Sequence, residues 1–188
     1  MDYSVLFFAS QKRLANMVEI DGQEYIDQAI TNNQNVMVLL AHSVMLEFAP
    51  AALGFHYDCF GSYKNTRNAL FDWMISRSRC RHVKFVVSRD EGLRKLIKSM
   101  EPGKLMIFLP DEDLGEENAV FAQFFGENKA TLTTTARMAK MGKAVALPAY
   151  CYYDSKAYKY ITKIGPALVN YPTADAIENA TTMNQGLE

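Results

Sequence analysis

Most of the signals that assign a protein quickly are missing from these 188 residues. The three cysteines, Cys59, Cys80 and Cys151, stand far apart with no Cys-x-x-Cys or Cys/His spacing. That excludes the usual structural zinc pattern and fits a reducing compartment. No apolar run approaches the roughly 18 residues of a membrane span. The start, MDYSVLFFASQKR, has a short apolar patch but not the basic n-region of a signal peptide. No strained serine or cysteine elbow is recognisable. Repeats, low-complexity tracts and linkers are absent too, so one domain over residues 1–188 is expected. Taken alone, the chain reads as cytoplasmic.

What is present suits a globular protein with a real core: 49% hydrophobic residues against 22% charged. The net charge is −1, but it is unevenly spread. Between Lys64 and Lys104 there are eleven Lys and Arg against four Asp and Glu, a local +7 that leaves −8 elsewhere. A basic third in a nearly neutral chain suggests an anionic partner; a solvated basic face is the alternative.

Short apolar runs alternate with amphipathic segments. VMVLLA, VKFVVS, LMIFLP and KAVALPAYCYY read as strands, the continuous ones buried on both faces. DGQEYIDQAITNNQ, NALFDWMISRSR, EGLRKLIKSM and ATLTTTARMAKMG read as helices, the last capped by Gly142. MLEFAPAALGF also looks helical, interrupted at Pro50 and ending near Gly54. Such alternation predicts an α/β fold, one sheet of mixed or mostly parallel strands flanked by helices. Ligands gather beyond the carboxyl ends of the strands in these sheets. VMVLLA runs into His42, LMIFLP into Asp111 and VKFVVS into Arg89, which marks a candidate site.

The pair His42 and Glu47 carries most chemistry. Taken singly, the histidine can be a helix cap and the glutamate a structural group. On one continuous helix, residues five apart lie about 140° around the axis and do not touch. With His42 in the preceding turn and Glu47 in the helix, the carboxylate can reach the imidazole. A glutamate inside an apolar run needs such a partner. The pairing fixes the tautomer and makes the outer nitrogen basic. With no nucleophile nearby, the dyad is suited to activate a hydroxyl of the substrate as general base.

Four blocks then stand in order: LLAHSVMLEFAP, with its His-x-x-x-x-Glu spacing; YKNTRNALFDWMISRSRCR; FLPDEDLGEENAVFAQFFGENKA; and TLTTTARMAK. Over roughly residues 13 to 188 they resemble the lipid A late acyltransferases, within the glycerolipid acyltransferase superfamily. The resemblance implies an acyl carrier protein thioester as donor and a hydroxyl on a lipid A precursor as acceptor. It gives His42 the part of base and Glu47 that of orienting it. Arg79, after Asp72-Trp73, would stabilise an oxyanion or grip a phosphate, and Asp111 would hold the architecture or a substrate hydroxyl. Arg81 and Asp113 are further expected substrate contacts; Arg77, Arg79 and Arg81 share one side if extended. The acidic run DEDLGEEN is expected to be a solvated turn. No cofactor, metal or nucleic acid is implied. The expected partners are the carrier protein, an anionic glycolipid and, peripherally, the cytoplasmic face of the bacterial inner membrane. Beside that family's pattern, the chain is expected to be a catalytic core lacking its membrane-anchoring leader and C-terminal segment.

Three other readings stand beside this one. The same chemistry can serve acyl or aminoacyl transfer to another glycolipid. A non-catalytic remnant would bind lipid or carrier without turnover. A cysteine hydrolase using Cys59, Cys80 or Cys151 has no supporting motif. The segment AVFAQFF can line an acyl groove or simply pack in the core.

Overall fold

Five consecutive buried residues, Val36 to Leu40, place one segment at the centre of the molecule. In the computed structural model, which describes residues 3–63, 68, 70, 73, 77, 79, 81–88, 93–112, 115 and 117–188, this segment is a sheet's middle strand. Among the described residues the chain runs α1 (Tyr3–Phe8), α2 (Gln11–Met17), β1 (Val18–Asp21), α3 (Gln23–Thr31) and β2 (Asn35–Leu40). It continues through α4 (Phe48–Gly54), β3 (Asp58–Tyr63), β4 (Phe85–Ser88), α5 (Leu93–Lys98) and β5 (Lys104–Phe108). Then come β6 (Ala119–Phe124), β7 (Glu127–Leu132), α6 (Thr134–Gly142), β8 (Ala144–Asp154), β9 (Lys159–Ile164) and α7 (Ala176–Leu187).

Seven of these strands form one sheet in the order β1-β9-β8-β2-β5-β3-β4. β8, β2, β5, β3 and β4 run parallel, while β9 lies antiparallel to β8 and parallel to β1. The sheet is therefore mixed and mostly parallel, with helices on both faces, as the alternation of runs predicts. Strand pleating sends alternate residues of β2 to opposite sides. Val36, Val38 and Leu40 join Ile26 of α3 with Phe48 and Leu53 of α4. Met37 and Leu39 join Leu96 of α5, Met138 of α6 and Met183 of α7. Both faces are apolar because both are covered, which is why the run is continuous.

Register decides what emerges at the carboxyl edge. Leu39 pairs with Phe108 and Leu40 with Ala149. His42 and Asp111, each three residues past the first pair, leave the sheet side by side. The pair β6–β7 stands apart as an antiparallel hairpin, joined by Phe125 and Gly126, both at positive φ. Two such residues make the turn whose twist suits a hairpin.

Two helix expectations are corrected. Pro50 does not interrupt α4, because it is the third helical residue, where the missing N–H has no intrahelical partner. The helix instead starts late, after turns closed by bonds such as Phe48 N–H to the Met45 carbonyl, 3.0 Å. Gly142 is not the left-handed cap of α6; Lys143 takes that conformation, φ 48°. A Cβ on Gly142 would lie 2.1 Å from the Met100 sulfur, so a larger residue there would have to displace the Met100 side chain. Most of NALFDWMISRSR lies outside the described residues; Leu70, Trp73, Arg77 and Arg79, which are described, are helical. No helix among the described residues is long and apolar enough to cross a membrane.

Candidate active site

His42 is held twice by one carboxylate. Its backbone N–H donates to Asp111 Oδ2 at 2.6 Å, and its ring Nδ1 lies 2.6 Å from Asp111 Oδ1. A carboxylate there accepts a hydrogen bond from Nδ1–H and leaves Nε2 as the unprotonated ring nitrogen. The side chain of His42 is 47% exposed and that of Asp111 12%, so the imidazole is open while its anchor is sheltered. Asp111 is fixed in turn through its own carbonyl, which accepts a hydrogen bond from Lys129 Nζ on β7. That ammonium also lies 4.8 Å from the centre of the Phe124 ring.

The expected contact between Glu47 and His42 is corrected by this arrangement. Glu47 occupies the N-cap position of α4 and its carboxylate receives the Arg79 guanidinium through Nε, 3.1 Å, and Nη2. The forked pair satisfies the half-buried glutamate that seemed to need a histidine. Glu47 and Arg79 also line a small pocket of about 70 Å³ whose walls include Leu40, Leu46, Pro50, Phe60 and Leu109. It opens beyond the ends of β2, β3 and β5, beside the His42 edge.

Arg81 is corrected as a substrate contact. It donates to the carbonyls of Leu6, Phe7 and Ala9, at 3.0, 2.6 and 2.7 Å, and so closes the C-terminal end of α1. Carbonyls at a helix end lack intrahelical partners and attract a cation. The supposed row of arginines also disperses. Arg77 lies over the Trp73 ring at 5.6 Å, Arg79 is on Glu47 and Arg81 is on α1. The helical backbone at Arg77 and Arg79 explains this, since alternation shares a side only in extended chain. Asp72, Cys80, Arg89 and Asp113 lie outside the described residues.

Ser43, Cys59 and Cys151 are not free nucleophiles. The Ser43 hydroxyl donates to the Cys151 carbonyl at 2.8 Å and accepts the Met45 N–H. Burial pushes the Cys59 thiol up to about 12, Asp58 adding to it, and burial pushes Cys151 up to about 11. Both stay protonated near neutrality, which leaves the cysteine hydrolase without a thiolate among the described residues. No cluster of three or more His, Cys, Asp or Glu among the described residues could hold a metal ion. Lys129 is the site residue that sequence reasoning missed. Its one signal was to be the first cation after the acidic run DEDLGEEN.

An open histidine on a sheltered aspartate, at the carboxyl edge of a mostly parallel sheet, is shared by many hydrolases and transferases. Comparison with known proteins narrows this. The family described as bacterial lipid A biosynthesis acyltransferase matches residues 1–188. The chain belongs to that family.

A lipid A biosynthesis acyltransferase of Haemophilus influenzae is 32% identical over 180 residues, 95% of this chain and 56% of that protein. The lipid A biosynthesis palmitoleoyltransferase of Escherichia coli is 27% identical over 189 residues, 100% of this chain and 61% of its own length. The lauroyltransferase of the same organism is 28% identical over 191 residues, with the same shares. This family member therefore spans somewhat over half the length of the curated relatives it matches.

Proposed function

We propose that the chain transfers a fatty acyl group from an acyl carrier protein thioester to a hydroxyl of a lipid A precursor. The observation that carries this reading is the His42–Asp111 pair: Nδ1 is held by a sheltered carboxylate, which leaves Nε2 as the unprotonated ring nitrogen. As the acceptor oxygen attacks the thioester carbon, its proton passes to Nε2. Asp111 stabilises the imidazolium that forms. The tetrahedral adduct collapses, the C–S bond breaks, and His42 returns the proton to the leaving thiolate. Glu47 acts on Arg79, fixing a positive charge beside the apolar pocket, where it balances the oxyanion or a substrate phosphate. The pocket takes the first carbons of the acyl chain. The surrounding surface meets the membrane peripherally, on its cytoplasmic face.

The test is acyl transfer in detergent from a set of acyl carrier protein thioesters, with lipid A precursor and other glycolipids offered side by side. His42→Ala is expected to lower kcat/KM by about 10²–10⁴-fold while the melting temperature holds. A folded variant that keeps the parent rate would remove His42 as the base. Acylation of another glycolipid in preference to the precursor would replace the acceptor.

A further inference from the structure

Several described cations of the basic third are already engaged. Lys84 pairs with Asp58, Lys104 with Glu101, Arg79 with Glu47, and Arg81 holds α1. Three cations remain exposed on the outer side of α5: Arg94, Lys95 and Lys98. Three more come from a distant part of the chain, Arg137 and Lys140 on α6 and Lys143 at its cap. Leu96 faces inward from α5, as Met138 and Ala139 do from α6, so the helical spacing turns these cations outward. The two helices pack together, with Met100 beyond α5 seated against Gly142 of α6. Arg94, Lys98, Arg137, Lys140 and Lys143 enter no ion pair among the described residues.

Beside this face, between α6 and α7, lies a groove of about 340 Å³. Arg137 and Lys140 form part of its lining, and Leu132, Ala136, Ala180 and Met183 supply apolar wall. A cationic rim over an apolar slot fits a folded anionic partner that presents one apolar side chain among carboxylates. The face runs along the sheet: α6 ends at the start of β2, where the Asn35 amide donates to the Gly142 carbonyl at 2.6 Å, so Lys143 lies at the edge opposite His42 and Arg137 nearer to it.

We propose that the exposed sides of α5 and α6, with the groove beside Arg137 and Lys140, dock the acidic carrier protein that brings the acyl thioester. The partner's identity rests on the proposed function; the surface rests on the charges and the groove. Binding of unacylated carrier protein to the full chain, read by fluorescence anisotropy, isolates docking from turnover. Arg137→Glu with Lys140→Glu is expected to weaken it about tenfold or more, and Arg94→Glu with Lys98→Glu comparably. Rising salt weakens the parent complex. In the transfer assay both pairs raise KM for the carrier-borne thioester and leave kcat unchanged. Turnover of the same acyl group on a small pantetheine thioester is likewise unchanged.

Carrier binding that survives both double substitutions overturns the proposal. So does a parent chain that binds no carrier. So does a loss confined to vesicles of anionic phospholipid, which would give this face to a bilayer. A parent chain that binds carrier through these residues yet acylates no lipid A precursor supports the docking surface and refutes the proposed acceptor.

Discussion

The corner at His42 and the segment from Arg79 to Val83 both supply the candidate site, but they are anchored in different ways. His42 and Asp111 leave adjacent parallel strands in register, and one carboxylate then binds both the backbone and the ring of the histidine. The second region is held from outside. Arg79 reaches Glu47, Arg81 reaches three carbonyls at α1, and the His82 carbonyl lies where a Cβ on Gly54 would come within 1.7 Å. His42 is thus fixed by the sheet, whereas the Arg79 charge is fixed by side chains that can be removed one at a time. That difference makes the two halves separable by experiment.

The largest expected effect tests the sheet-borne half. Asp111→Asn keeps the shape but loses the charge and the fixed tautomer, and kcat should fall about 10²–10⁴-fold. Combined with His42→Ala it should add little, because both residues act through the same imidazole. Glu47→Gln combined with His42→Ala tests the assignment of partners. If Glu47 works through Arg79, its loss and that of His42 should come close to multiplying. A Glu47–His42 coupling as strong as the Asp111–His42 one would restore the pairing that the short sequence spacing suggested.

That spacing shows what the sequence could and could not disclose. VMVLLA, LMIFLP and KAVALPAYCYY were legible as strands because they are covered on two faces and their apolar residues run on. β1, VEID, at the sheet's edge, and β9, KYITKI, beside it were not, since both mix exposed charge with buried residues. His42, Glu47, Arg79 and Asp111 were all visible as site candidates, each at or near the end of an element. Their pairing was not visible. Asp111 meets His42 across 69 positions of sequence, through a register that no local pattern encodes. Glu47, five residues away, was the nearer carboxylate in sequence, but its partner, Arg79, comes from 32 positions further along the chain.

A middle-sized effect probes the second anchor. Arg81→Met removes three charge-assisted bonds at the end of α1, worth roughly 2 kcal/mol together after solvent exchange. Thermal unfolding should then shift down by about 4–8 °C in a domain of this size. Activity should fall less than in Asp111→Asn, since Arg79 and Glu47 keep each other. A loss of activity equal to that of Asp111→Asn at unchanged stability would return Arg81 to the substrate.

The smallest effect distinguishes the two histidines by pH. His82 is buried near the Phe55 ring, 6.0 Å between centroids, and its Nε2 has no hydrogen-bond partner among the described residues. Burial, and then the neighbouring Arg81 charge, hold its pKa below the ordinary 6.5. The unfolded chain therefore binds a proton that the folded chain refuses as pH falls below 6.5. Stability from this group is full above that pH and declines beneath it, by at most about 1.4 kcal/mol per pH unit until the folded pKa is reached. Melting temperatures measured from pH 8 to pH 5 should show the decline in the parent and a shallower one in His82→Gln. A profile unchanged by that substitution would mean that His82 titrates alike in both states, and that the second region is as open to solvent as the first.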